Sequence, residues 1–260
     1  MHESHFPEAT QRKPAQFLLL FVFLIWLAHA LGYLVHEYAH TVTAWVLGCK
    51  ENPLALTYGH LNVKNLLLLS DIDENVDYDQ ILVAGKARLT SLIAVAGVLF
   101  GNVPFYFISR RIFSFAKARN RQILGLFAFL LCLMNVGNFL DYVPVRTFTT
   151  HSDMARVEEG LHISPWWIVT ILGIPFAVAM WHFFARLLPD VRSFLFPQRK
   201  VPQVILVVLS SFTMFVYFGS SGMHGYGGTS HWISVVSLCV IFPLVIILCW
   251  PHKTELKAAA

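Results

Sequence analysis

The sequence predicts an all-α membrane protein with about six transmembrane helices. Three observations lead there. Of 260 residues, 56% are hydrophobic and only 13% are charged, about half the charged share of an ordinary soluble domain. Aromatic side chains are abundant, with 22 Phe and 7 Trp. The apolar residues fall in runs close to the roughly 20 residues a helix needs to cross a bilayer. The lipid bilayer is therefore the expected surrounding. The net charge of +4 is mild, and the basic residues gather at the edges of apolar runs rather than on one polar face. That distribution speaks against nucleic acid as a partner.

Residues 1–15 read as a polar cytoplasmic tail closing on Arg12, Lys13 and Pro14. The first span is expected over residues 16–48. It is far longer than a signal-peptide core and shows no small-residue cleavage site, so it reads as a retained helix. Its length implies tilt, a kink near Gly32 or protrusion beyond the bilayer. Residues 50–84 form a small β or irregular insert, with short strands expected at residues 54–61 and 66–69 and an acidic loop at residues 71–79. Further spans follow at residues 87–108 and 122–140. A polar connector occupies residues 141–164, and the fourth span residues 165–188. The fifth span, at residues 203–219, is followed by a Gly-rich loop at residues 219–228 and a sixth span at residues 232–250. The chain thus divides into the tail 1–15, a four-span core 16–188, and two additional C-terminal spans with their tail, 189–260. Three of the four cysteines (Cys49, Cys132, Cys239 and Cys249) lie in apolar runs, and no Cys-x-x-Cys pair is present, which argues against a thiolate site or a disulfide framework.

The basic residues give an orientation. With the N-terminus inside, thirteen Lys and Arg fall in inside segments, including Arg110, Arg111, Lys117, Arg186 and Lys200. Six fall outside: Lys50, Lys64, Lys86, Arg88, Arg146 and Arg156. The positive-inside rule then places both termini in the cytoplasm.

The chemistry-bearing pattern is His36-Glu37-Tyr38-Ala39-His40. Two histidines four residues apart stand one turn apart on one helix face, where both imidazoles can bind a single Zn²⁺. Glu37, beside them, is placed to take a proton from a zinc-activated water. The pattern alone arises by chance in roughly one to two per cent of shuffled sequences of this composition, so context must support it. Here the context is an apolar span, in which ionisable groups are costly without a function.

Zinc in a catalytic site takes a third protein ligand and keeps a fourth position open. That ligand must lie on the same side of the membrane as His36 and His40. The chain returns to that side after the third span, which selects the connector at residues 141–164. Its carboxylates are Asp141 and Asp153, with His151 as a nitrogen alternative; Glu158 and Glu159 read as a solvated face.

With these elements in order, the chain resembles the site-2 protease family of intramembrane zinc metalloproteases. The likeness covers roughly residues 30–160. It consists of the His36–His40 helix, a middle segment Ala96-Gly97-Val98-Leu99-Phe100-Gly101-Asn102, and a later segment Asp141-Tyr142-Val143-Pro144 followed by Asp153. Val98 stands where the family usually has Pro, and Met154 rather than Gly follows Asp153. The resemblance implies Zn²⁺ held by His36, His40 and Asp153, with Asp141 as the alternative third ligand. It also implies Glu37 as general base and Asn102 close to the substrate, a membrane-protein segment. Gly97 and Gly101, four residues apart, are expected to allow close helix approach.

The rival expectation is a non-catalytic zinc-binding membrane protein, a carrier or scaffold. Glu37 argues against it, because a pure binding site needs no base there. A metalloprotease of the prenyl-protein type would need a late Glu ligand near the cytoplasmic side, whereas Glu158 and Glu159 fall outside. The compact layout suits a bacterial inner membrane.

Overall fold

The computed structural model describes residues 14–251. Residues 1–13 of the expected tail, and Lys253 and Lys257 of the expected C-terminus, lie outside the described residues. Six helices are long and apolar enough to cross a membrane: Leu18–Val46, Ala87–Ala118, Gln122–Phe148, Pro165–Leu195, Lys200–Met223 and Gly228–Leu248. The protein is a multi-pass, all-α membrane protein.

The third span is the hub. Its most apolar window is 83% buried, against 22% for the first and fourth spans and 11% for the sixth. Phe129 of this span stacks on Phe183 of the fourth at 5.4 Å, and Phe184 stacks on Phe215 of the fifth at 5.5 Å. The sixth span lies at the periphery.

The first helix, Pro14–Val46, buries one stripe: Leu24, Ala28, His36, Glu37, His40, Thr41 and Ala44. The spacing is that of one helix face, and the stripe changes from apolar to ionisable halfway along. Its polar end is what the rest of the fold must satisfy.

Each span after the first contains, among the described residues, one wide turn of π type. Two of these turns, Gly97–Asn102 and Asp141–Val145, border that polar stripe. Such turns re-aim side chains and are frequent at functional sites. The second turn holds Pro144. Because a wide turn already gives up regular bonding, the missing N–H of proline costs less there than inside a regular helix.

The insert contains no strand among the described residues. One antiparallel bridge pairs Thr57 with Asp73, and the leucines expected to form a second strand are helical over Val63–Leu68. Local chemistry explains the difference. Asn62 caps the helix by accepting from the Asn65 backbone N–H, and Leu69 closes it in a left-handed conformation. A lone hairpin, by contrast, would be marginal. The insert lies along the first helix. Thr41 Oγ1 donates to Pro53 O at 2.7 Å, Tyr33 Oη to Ile72 O at 3.4 Å and Trp26 Nε1 to Leu66 O at 3.0 Å.

Candidate metal centre

His36, Glu37 and His40 are almost wholly buried, at 1%, 4% and 0% exposure. Asp153 reaches them from the first turn of a separate helix, Asp153–Leu161. Ser152 starts that helix by accepting from the Ala155 backbone N–H at 3.3 Å. The same hydroxyl donates to the Arg146 carbonyl at 2.9 Å, which ties the helix start to the end of the third span. A carboxylate in the first turn is also favoured by the helix dipole.

The three side chains converge on one point. His36 Nε2 lies 3.1 Å from Asp153 Oδ2 and 3.1 Å from His40 Nε2; His40 Nε2 lies 3.3 Å from Asp153 Oδ2. A tetrahedral ion with bonds of about 2.0–2.1 Å sets its ligand atoms about 3.3–3.4 Å apart. The observed triangle therefore fits zinc with shifts of a few tenths of an ångström. Among the described residues this is the group of three His, Cys, Asp or Glu side chains that could hold a metal ion.

The hydrogen bonds behind the imidazoles fit the same purpose. His40 Nδ1 lies 2.7 Å from the Ile93 carbonyl oxygen, which can only accept, so the His40 proton sits on Nδ1. A relay fixes His36. The Leu131 carbonyl accepts from Asn135 Nδ2 at 2.7 Å, and Asn135 Oδ1 accepts from Asn102 Nδ2 at 3.1 Å. Asn102 Oδ1, 2.7 Å from His36 Nδ1, must then accept from it. Both Nε2 lone pairs are left pointing into the triangle, beside a carboxylate oxygen. Three acceptors this close repel unless a cation lies among them, and a carbonyl or amide behind each ring is the usual support of a metal-bound histidine.

Close approach of the second span completes the centre. A Cβ added at Gly97 would lie 2.5 Å from His36 Nε2 and would also collide with His40 Nε2. One added at Gly101 would lie 3.0 Å from the Val35 carbonyl oxygen and 3.2 Å from His36 Cα. Only glycine lets the second span pass so near the two rings, as the spacing of Gly97 and Gly101 implies.

Glu37 interacts electrostatically with His40, with Glu74 of the insert and with Asp153. Glu74 is itself 8% exposed. Asp141 stands outside the triangle. It accepts a hydrogen bond from Ser221, and its Oδ2 lies 3.6 Å from Arg146 Nη1. Of the two candidate third ligands, Asp153 alone meets the histidines. Asn102, expected near the substrate, has Oδ1 engaged by His36 and Nδ2 by Asn135.

The remaining histidines lie elsewhere. His29 contacts the Leu68 carbonyl and Tyr217, and His182 contacts Tyr106. His60, His151, His224 and His231 are exposed. The residues not anticipated from the sequence are Tyr142, Arg146, Ser152 and Glu74. Only Ser152 carried a local signal, as a serine directly before an amphipathic helical stretch.

No protein-family model, curated protein or solved structure matches the chain.

Proposed function

We propose that the chain is an intramembrane zinc metalloprotease that hydrolyses peptide bonds of membrane-protein segments within or at the edge of the bilayer. One observation carries this: a buried carboxylate, Glu37, lies next in sequence to His36 in a site of three protein ligands. Three ligands leave a fourth position for water or substrate, the pattern of catalytic rather than structural zinc. Zinc bound there would supply a Lewis acid that acidifies water and polarises a peptide carbonyl.

His36, His40 and Asp153 would hold the ion, with Asn102 and the Ile93 carbonyl keeping the imidazoles in the metal-binding tautomer. Glu37 takes a proton from the attacking water and delivers it to the leaving amine. The substrate must unwind locally, because a membrane helix hydrogen-bonds its own carbonyls and hides them from attack. The ordered likeness to site-2 protease motifs supports this assignment. The distribution of Lys and Arg supports cytoplasmic termini, and we assign the chain to a bacterial inner membrane.

The test is Glu37→Gln in the full-length protein reconstituted with a tagged, membrane-spanning reporter. The variant should keep its zinc and lose about 10²- to 10⁴-fold in cleavage rate. Cleavage at the wild-type rate would refute the protease assignment.

A further inference from the structure

The last two spans contribute nothing to the metal triangle, yet a continuous set of side chains joins them to it. Ser221, in the last turn of the fifth span, donates a hydrogen bond to Asp141. Asp141 pairs with Arg146, Oδ2 to Nη1, at 3.6 Å. The Arg146 guanidinium lies over the Tyr142 ring at 4.7 Å and over the Tyr226 ring, from the loop before the sixth span, at 5.5 Å. The Tyr142 ring in turn stacks on His36, with centroids 4.3 Å apart and planes 28° from parallel.

We infer that Arg146 is a positioning residue for the metal centre and that the C-terminal pair of spans serves as its buttress. The inference rests on the metal-binding part of the proposed function. Its physics is that of two constraints on one ring. The Asn102 hydrogen bond fixes which way His36 Nδ1 points, and the flat contact with Tyr142 fixes the plane of the imidazole. Tyr142 is held from beyond by a guanidinium, whose planar face suits stacking on an aromatic ring where an ammonium does not.

Arg146 Nε has no hydrogen-bond partner among the described residues. One long ion pair and two ring faces therefore hold the guanidinium, and Ser221 and Tyr226, which secure it, come from the C-terminal pair. The Arg146 carbonyl also receives the Ser152 hydroxyl that starts the Asp153 helix. A shift of Arg146 thus reaches two of the three ligands. Asp141, a candidate ligand by sequence, acquires a different role as the anion that anchors this arginine.

The test uses the full-length protein in detergent, loaded with Co²⁺ or Zn²⁺. Two readouts are taken: metal affinity by chelator competition, and the visible absorption of bound cobalt, which reports ligand geometry and does not follow fold stability. Arg146→Ala should weaken metal binding about tenfold and shift the cobalt bands. Arg146→Lys, which keeps the charge but not the planar stack, should not rescue either. Ser221→Ala and Tyr226→Leu should move both readouts the same way by about threefold. Adding Ser221→Ala to Arg146→Ala should change little further, as expected for members of one chain of contacts. Lys117→Ala, which breaks an ion pair with Asp190 remote from this chain of contacts, should leave both readouts unchanged.

If Arg146→Ala does not fold, Ser221→Ala and Tyr226→Leu decide the matter. Wild-type affinity and cobalt bands in those two variants overturn the inference. A wild-type protein that binds cobalt but cleaves no reporter refutes the protease assignment, while the variants still decide this one. A wild-type protein that binds no divalent metal overturns both.

Discussion

Replacing Asn102 with alanine should weaken zinc binding before it changes anything about substrate. The amide is 1% exposed and makes two buried hydrogen bonds, one with His36 Nδ1 at 2.7 Å and one with Asn135 Oδ1 at 3.1 Å. Alanine leaves a buried donor on His36 and a buried acceptor on Asn135 without partners. Each costs about 1–3 kcal/mol when unsatisfied, so the fold should lose about 2–6 kcal/mol before any relaxation. The metal loses more specifically. His36 is no longer held in the tautomer that presents Nε2, and loss of such a supporting partner costs about 10–100-fold in metal affinity, or about 1.4–2.7 kcal/mol. Chelator competition on purified protein measures this directly. Asn102→Asp separates the two effects: it keeps an acceptor for His36 and should retain zinc, while losing the donor to Asn135 and with it stability. If Asn102→Ala binds zinc within twofold of wild type and instead impairs only reporter cleavage, the relay argument is wrong and the amide acts on substrate.

Two further outcomes are expected. Gly97→Ala places a methyl group against both imidazoles and should abolish zinc binding, with a stability loss of about 1–3 kcal/mol from overpacking; zinc retained at wild-type affinity would contradict the close approach. Burial pushes the Glu158 carboxyl up to about 7, against about 4.3 for a free Glu, so folding takes up a proton between those values and stability falls as pH rises through that window. Glu158→Gln should flatten the change in Tm between pH 5 and 8, and parallel slopes for the two proteins would refute the burial argument.

The spans were legible because lipid imposes one dominant signal, a continuous apolar run. Their ends were not. The second span continues to Ala118, past the expected residue 108, because Ser109, Arg110 and Arg111 stay helical after the run turns amphipathic. The stretch after Leu140 read as a polar connector, since Asp141, Pro144 and Arg146 are unlike a span. It remains helical through wide and tight turns to Phe148, and its polar groups face one another. The leucines at 66–68 fit either a strand or a helix by composition, and the Asn62 cap decided for the helix.

At the site, the ionisable residues were visible because His, Glu and Asp are conspicuous in an apolar chain, and span parity narrowed the third ligand to one connector. What supports them was not visible. The roles of Tyr142 and Arg146 depend on contacts between residues far apart in sequence, Tyr142 with His36 and Arg146 with Tyr226. The Ile93 contribution is a backbone carbonyl, which no side-chain pattern announces.

The metal centre is tested most directly by zinc stoichiometry and zinc-edge X-ray absorption of the purified full-length protein, alongside Asp153→Ala and Asp141→Asn at saturating zinc. One zinc per chain is expected, with two imidazole nitrogens and a carboxylate oxygen at roughly 2.0–2.2 Å. Asp153→Ala should lose it, and Asp141→Asn should keep it. Wild-type protein without zinc, or zinc kept by Asp153→Ala and lost by Asp141→Asn, would contradict the centre described here.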